Sequence, residues 1–83
     1  MPVKVEKRDG SLEDFSRDKV SGGLVGAGLA VEEAEKIADQ VEVWAQETAV
    51  EGVIKSSEIR EKVLELLRLV DPEIANRFEN YHK

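Results

Sequence analysis

Two adjacent cations, Lys7 and Arg8, stand directly before an Asp9-Gly10 pair. An Asp-Gly pair favours a tight turn because glycine tolerates positive φ, and such a turn can bring both cationic heads toward one anion. Lys19 follows in the first turn of a predicted helix, and Ser56 opens another helix, whose free N–H groups attract anions. Together, Lys7, Arg8 and Lys19 could offset much of the charge of a triphosphate. Lysine also protects exposed strand edges against aggregation, and on spacing alone that interpretation is the more common one.

Other patterns in the chain do not indicate catalysis. The glycine-rich run 22–28 superficially resembles a dinucleotide-binding fingerprint, but no suitable strand and turn precede it and no second parallel strand follows. We therefore predict a closely packed, locally weak helix there. His82 has no cysteine or ordered partner in view and is expected to be a tail residue, and Trp44 on its apolar stripe favours a core or interface position. With no candidate base and no loop for nucleotide hydrolysis, the sequence predicts neither an enzyme nor a metal site built by protein alone.

The negative charge of the chain is concentrated in its middle. The 83 residues include 12 lysines and arginines and 18 aspartates and glutamates, which gives a net charge of −6. Residues 1–20 carry five basic and five acidic side chains, residues 55–83 carry six of each, and residues 21–54 hold one base against seven acids. We therefore expect any anion site to be built from the two ends. The acidic total argues against direct contact with nucleic acid, which needs a basic surface.

Length and composition exclude several classes of protein. A chain of 83 residues makes one domain, and the absence of cysteine excludes a disulfide scaffold, a zinc ribbon and a thiol nucleophile. No segment approaches the roughly 20 apolar residues of a membrane span, and the first residues lack the apolar stretch of a signal peptide. We expect a cytoplasmic protein with no membrane partner.

The apolar pattern predicts a small sheet and four helices. Alternation before and after the Asp-Gly turn predicts a β-hairpin over residues 3–15, and a segment at about 53–55 can add a third strand. Ser16 can cap the first helix, and Ser56 or Ser57 the third. Asp71-Pro72 can end one helix and start the next. The predicted helices span about residues 16–28, 31–48, 57–70 and 72–82.

The order β-β-α-α-β-α-α predicts the fold class. We expect a single α+β domain over residues 1–83, in which a four-helix bundle is capped by a small three-stranded sheet. The second helix has a continuous apolar stripe on one face, typical of a helix that packs on a core. Its acids fall mostly off that stripe and are expected on the solvated side: Glu32, Glu33, Glu35, Asp39 and Glu42.

The hairpin sequence resembles the start of an ATP-cone domain. The run from Val5 to Ser11 carries the resemblance, together with Phe15 and Lys19-Val20. It extends over about residues 3–81 and departs at Gly22-Gly23, where such domains usually carry ordinary helix formers. The later matching segments are the alanine-rich acidic helix from Ala34 to Val41, the block from Gly52 to Arg60 and the block from Val70 to Glu73.

ATP-cones are small regulatory domains that bind ATP or dATP, and they occur in ribonucleotide reductases and in a zinc-ribbon repressor of reductase genes. The resemblance implies a four-helix bundle under a three-stranded cap, with an adenine nucleotide as ligand and Mg²⁺ on its phosphates. It also implies roles for individual residues: Lys7, Arg8 and Lys19 on the phosphates, Glu13, Ser16 and Ser56 beside the nucleotide, Arg60 in the response to it, and Val5, Val20 and Leu24 as walls for the adenine.

Three functions remain open from the sequence. The first is a non-catalytic regulatory domain that binds ATP or dATP, free-standing or detached from a larger protein, and biases association with another protein or with itself. The second is a protein-interaction module that has kept the fold and lost the ligand, which the glycines of the first helix favour. The third is a helical domain associated with transcription, by analogy with the repressors, although the acidic surface argues against direct DNA contact.

Overall fold

The first two strands form a hairpin that presents the cationic pair at its turn. In the computed structural model, which describes residues 3–81, β1 (Lys4–Glu6) pairs antiparallel with β2 (Leu12–Asp14). The turn closes where the Gly10 N–H donates to the Lys7 carbonyl at 2.9 Å, and Gly10 has a φ of 87°. The Asp9 carboxylate accepts from the backbone N–H and the hydroxyl of Ser11, at 3.0 and 2.7 Å. These contacts fix the turn without using either Lys7 or Arg8 side chain.

The third strand, β3 (Val53–Lys55), lies parallel to β1 and gives the sheet order β2-β1-β3. It enters the sheet through a tight reversal, in which Val50 and Val53 exchange two backbone hydrogen bonds of 2.9 and 3.0 Å. The two residues between them, Glu51 and Gly52, have φ angles of 53° and 77°. Two consecutive positive φ angles are typical of a type I′ turn, for which asparagine and glycine are the favoured residues.

Four helices complete the fold, and the predicted α+β class and element order are confirmed. Within residues 3–81, no helix combines the length and apolar character that a membrane span requires. His82, predicted to be a tail residue, lies outside the described residues. The helices are α1 (Arg17–Gly26), α2 (Val31–Thr48), α3 (Ser56–Val70) and α4 (Pro72–Tyr81).

Local signals at both ends define α1. The Ser16 hydroxyl accepts from the Lys19 N–H at 3.3 Å, so the predicted N-cap is confirmed. At the other end, the Gly28 N–H donates to Val25 and the Leu29 N–H donates to Leu24, with Gly28 at a φ of 112°. This pair of bonds is a Schellman motif, which requires a residue that tolerates positive φ. The helix therefore ends where glycine is required.

The glycines inside α1 do not pack as closely as predicted. A Cβ atom added at Gly22 or Gly26 would meet nothing within 4 Å, so the expectation of close packing is wrong at these two positions. A Cβ atom at Gly23 would lie 3.9 Å from the Phe78 ring, which is ordinary van der Waals contact. The helix consequently presents a bare face, and few side chains anchor it.

The starts of α3 and α4 differ from each other. The predicted serine cap of α3 is wrong, because the N-cap residue is Lys55 and no side-chain cap from serine forms. Instead the Glu58 carboxylate accepts from the Lys55 N–H at 3.2 Å. At α4 the prediction is confirmed, since the Asp71 carboxylate accepts from the N–H groups of Glu73 and Ile74 at 3.1 and 3.3 Å. The hydroxyl groups of Ser56 and Ser57 therefore do not cap α3.

The core consists of two clusters that share two side chains. One cluster lies among the helices and the other beneath the sheet, and both Phe15 and Ile59 pack against each of them. Trp44 is partly buried against the sheet cluster, with the Lys62 ammonium 5.8 Å from its ring centroid. The helical cluster is Leu24, Leu29, Ala34, Ile37, Val41, Val63, Leu67 and Ala75, and the sheet cluster is Val3, Val5, Ala45 and Ile54.

The type I′ turn before β3 generates a stability prediction. Glu51→Asn should raise the free energy of unfolding by about 1 kcal/mol, because asparagine adopts positive φ at lower cost than glutamate does. Urea unfolding measures the change. Glu51→Ala is the control, since it removes the same charge but keeps the unfavourable φ. An Asn variant no more stable than the Ala variant would show that the turn is not strained.

Candidate functional site

A cleft of about 560 Å³ opens where the hairpin turn faces α1, α3 and α4. Its lining includes five of the ten residues that the sequence analysis singled out, and these come from three separate segments of the chain. Arg8 comes from the hairpin turn, Lys19 and Val20 come from the first turns of α1, and Ser56 and Arg60 come from α3. The cleft therefore combines cationic, hydroxyl and apolar groups.

A smaller cavity of about 220 Å³ continues the cleft toward the sheet. It contains three cations, Lys7, Arg8 and Lys55, and it shares Arg8 and the serines at the start of α3 with the larger cleft. The parallel register explains this placement, because Glu6 on β1 is paired with Lys55 on β3, whose next residue begins α3. Free N–H groups at the start of a helix add positive potential. The register of the sheet thus builds an anion-attracting corner.

The Glu13 carboxylate joins the two lysines predicted to contact phosphate. Its Oε1 atom lies 3.3 Å from the Lys7 Nζ and 3.4 Å from the Lys19 Nζ. The hydrogen bond from Lys7, assisted by the charge of Lys19, holds the pKa of Glu13 below its ordinary value of 4.5. Glu13, which lies outside the lining of both cavities, therefore keeps a lysine of each cavity close to the other.

Arg60 lines the cleft and contains a buried donor without a partner. Its Nη2 donates to the backbone carbonyl of Glu79 at 3.0 Å, which ties α3 to α4. Its Nε is buried and has no hydrogen-bond partner among residues 3–81. A buried donor without an acceptor costs about 1–3 kcal/mol.

The apolar wall of the cleft differs from the predicted one. Val20 lines the cleft as expected, whereas Val5 is 7% exposed in the sheet cluster and Leu24 is fully buried in the helical cluster. Neither Val5 nor Leu24 lies among the lining residues. The sequence analysis missed Phe78 and Ile59, which complete the wall with Val20. Both belong to helical apolar stripes, which by pattern alone cannot be distinguished from core.

Ser16 and Arg17 lie close to the cleft in the chain but outside its lining. Ser16 uses its hydroxyl to cap α1, next to Lys19. Arg17, which the sequence analysis did not single out, donates from Nε to Asp39 at 2.6 Å and from Nη2 to Glu35 at 2.5 Å. Two acids that were expected to be simply solvated are therefore partners of a cation from α1. Their spacing of four residues on one helix face is the signal that could have indicated this.

Within residues 3–81, no three histidine or acidic side chains converge to hold a metal ion. Glu13, which lies near the two cavities, is paired with Lys7 and Lys19.

The ion pairs of Glu13 generate a pH prediction. A carboxylate whose pKa is lowered by folding stabilises the protein above its unfolded pKa, and that contribution is lost as the pH falls through the folded value. Wild type should therefore exceed Glu13→Gln in free energy of unfolding at pH 7, and the difference should shrink as the pH falls below 4.5 and through the lower folded pKa of Glu13. Urea unfolding between pH 7 and 3 measures it.

Glu47→Gln is the matched control for this pH series, because Glu47 forms no ion pair within residues 3–81. The series on Glu47→Gln measures what the loss of an exposed carboxylate outside these ion pairs does at each pH. A Glu13→Gln difference that follows pH no more steeply than the Glu47→Gln difference would contradict the ion-pair assignment.

Comparison with known proteins identifies relatives along the whole chain. A family model described as "ATP cone domain" matches residues 3–83. A transcriptional repressor NrdR from Geobacillus sp. (strain WCH70) is 39% identical over 89 residues, which cover 100% of this chain and 56% of that protein. Repressors of the same name from Desulforapulum autotrophicum and Staphylococcus saprophyticus are 34% and 36% identical, over 52% and 54% of their lengths. The chain spans about half the length of these relatives.

These relatives contradict one expectation from the sequence. The net charge of −6 argued against a nucleic-acid partner, but the similar proteins are transcriptional repressors, so that exclusion is wrong. The charge argument fails because it sums over a domain whose negative excess is confined to residues 21–54. The net charge also describes only the 83 residues of this chain, which span about half the length of the repressors.

The family match and the fold agree. The matched region contains the hairpin, the four helices and the cleft, in the element order that the resemblance implied. Sequence identity to the repressors extends over the same region. The chain belongs to the ATP-cone domain family.

Proposed function

We propose that this chain is a non-catalytic regulatory domain that binds ATP or dATP in the cleft and its smaller extension. The observation that carries the proposal is the convergence of Lys7, Arg8 and Lys19 on the start of α3, beside an apolar wall. That combination suits a ligand with an anionic end and a flat apolar end.

The phosphate end of the nucleotide belongs at the hairpin corner. Arg8 lines both the cleft and its extension, while Lys7 and Lys19 both contact the Glu13 carboxylate. Phosphate oxygens accept charge-assisted hydrogen bonds from such groups and from the N–H groups at a helix start. Bound phosphates would replace Glu13 as the ion-pair partner of Lys7 and Lys19. Mg²⁺, where present, would be held by the phosphates.

The adenine end belongs against the apolar wall. Val20, Ile59 and Phe78 supply that wall, and Gly23 leaves room beside the Phe78 ring. Arg60 belongs to the same lining, and its guanidinium group can donate to a ring nitrogen or a ribose oxygen. The cationic half of the cleft therefore suits the phosphates of an adenine nucleotide, and the apolar half suits its base.

A regulatory role fits the site better than catalysis does. The cleft lining contains cations, hydroxyls and apolar side chains, and its one acid, Glu61, is exposed. We propose that nucleotide binding to this domain regulates a transcriptional repressor, because its relatives are named as transcriptional repressors. A bacterial repressor acts in the cytoplasm, where we accordingly place this protein.

The phosphate contacts generate a binding prediction. Lys19→Ala should weaken ATP binding about tenfold, because one charge-assisted contact to phosphate is lost, and should leave adenosine binding nearly unchanged. Isothermal titration with ATP, dATP and adenosine measures both. Lys36→Ala is the matched control, since Lys36 is an exposed helical lysine that does not line the cleft. Absence of ATP binding to wild type at millimolar concentration would refute the proposal.

The apolar wall generates a second binding prediction. Phe78→Leu should weaken ATP and adenosine alike, by about fivefold, because it removes the aromatic surface on which a base can stack. Ile74→Val is its control, since Ile74 packs on the helical cluster from α4 without lining the cleft. Equal losses in the two variants would show that Phe78 acts through stability rather than through contact with the base.

A further inference from the structure

The N-terminal turn of α1 is fastened to α2 by a single guanidinium group. Arg17 donates from Nε to the Asp39 carboxylate at 2.6 Å, and from Nη2 to the Glu35 carboxylate at 2.5 Å and to the Glu35 carbonyl at 3.3 Å. These hydrogen bonds raise the pKa of Arg17 above its ordinary value. The side chain is 27% exposed, so solvent only partly screens the contact. We call this group, Arg17 with Glu35 and Asp39, the Arg17 anchor.

The geometry of the anchor depends on the planar fork of arginine. Glu35 and Asp39 are four residues apart on one face of α2, where two negative charges repel each other. Arginine offers donors at fixed angles to both carboxylates, and a lysine ammonium cannot reproduce that arrangement. Arg17 therefore removes a repulsion within α2 at the same time as it holds α1.

The first turn of α1 has less apolar packing than the rest of the helix. Helix α1 packs on α2, and Leu24, in its second half, is fully buried in the helical cluster. In the first turn, only Val20 packs against that cluster, and it does so while partly exposed. Gly22 and Gly26 face open space and contribute no packing. The start of α1 is therefore the part of the helix that can fray most easily.

The residues around the anchor belong to the candidate site. Ser16, which caps the helix, precedes Arg17 directly, and Lys19 and Val20 follow in the next turn. The Lys19 Nζ reaches Glu13 at 3.4 Å from this turn. A shift of the first turn of α1 would therefore move the Lys19 ammonium relative to Lys7 and Arg8.

We propose that Arg17 is a positioning residue for the nucleotide site: by fixing the first turn of α1 on α2, it determines where Lys19 meets the phosphates. Arg17 itself does not line the cleft. Glu35 and Asp39, two acids of the negatively charged middle of the chain, thus contribute to an anion site indirectly, because they hold Arg17 in place. The part of this inference that concerns phosphate rests on the proposed function, whereas the placement of Lys19 does not.

The first test needs no nucleotide. Arg17→Gln removes the charge and two donors, and Arg17→Lys keeps the charge without the fork. The carboxyl signal of Glu13 is titrated by NMR in each variant. If Arg17 positions Lys19, the pKa of Glu13 rises toward its ordinary value of 4.5 in Arg17→Gln, with a smaller rise in Arg17→Lys. An unchanged Glu13 titration in Arg17→Gln would overturn the inference, whether or not the chain binds nucleotide.

Ile37→Val is the matched control for stability, because it removes one buried methylene from α2 and leaves the anchor intact. It should lower the unfolding temperature without moving the Glu13 titration. A shift of the same size in Ile37→Val would show that general loosening, rather than the anchor, moves Lys19, and would overturn the inference.

The second test measures coupling to Lys19 by isothermal titration with ATP and adenosine. Arg17→Gln should weaken ATP binding about tenfold and adenosine binding less than twofold. Adding Lys19→Ala to Arg17→Gln should cost little more, because the displaced lysine has already lost its contact. Losses that multiply in the double variant would overturn the inference. Absence of ATP binding to wild type would refute the proposed function, and the Glu13 titration would then decide the placement of Lys19.

Discussion

The cationic side chains of Lys7, Arg8 and Lys19 lie near one another and repel one another. The candidate site depends on how that repulsion is offset. The Glu13 carboxylate lies 3.3 Å from the Lys7 ammonium and 3.4 Å from the Lys19 ammonium. Because these groups are exposed, the pairs are screened and individually weak. Their importance is positional, since Glu13 keeps two lysines from different elements near one place. A ligand that carries several negative charges can replace one carboxylate with more favourable contacts.

The sheet and the shared core place that corner beside a helix start. The parallel register pairs Glu6 with Lys55, so the strand that leads into α3 runs alongside the strand that leads into the turn. Phe15 and Ile59 pack against both core clusters and join the hairpin to the bundle. Three-residue strands are marginal by themselves. They hold their register because the residues beneath them, Val5 and Ile54, are buried.

Much of this was predictable from local signals, and the remainder depends on long-range contacts. The Asp9-Gly10 turn and the Ser16 cap are properties of short segments, and sequence rules predicted both. Sequence pattern could not separate Leu24, which is core, from Phe78, which lines the cleft, because both are apolar residues on helix faces. Arg17 was missed for a related reason. Its partners lie 18 and 22 residues away, on another helix.

The distribution of charge now has a structural reason. Glycines destabilise α1, and in its first turn only the partly exposed Val20 packs on the core, so electrostatic contacts contribute more to holding that turn. Glu35 and Asp39 supply them to Arg17, which places part of the negative middle of the chain against the positive start of α1. The net charge of −6 is therefore no measure of what the domain binds. Acids on α2 restrain α1, and the restrained helix carries Lys19 to the corner where an anion can bind.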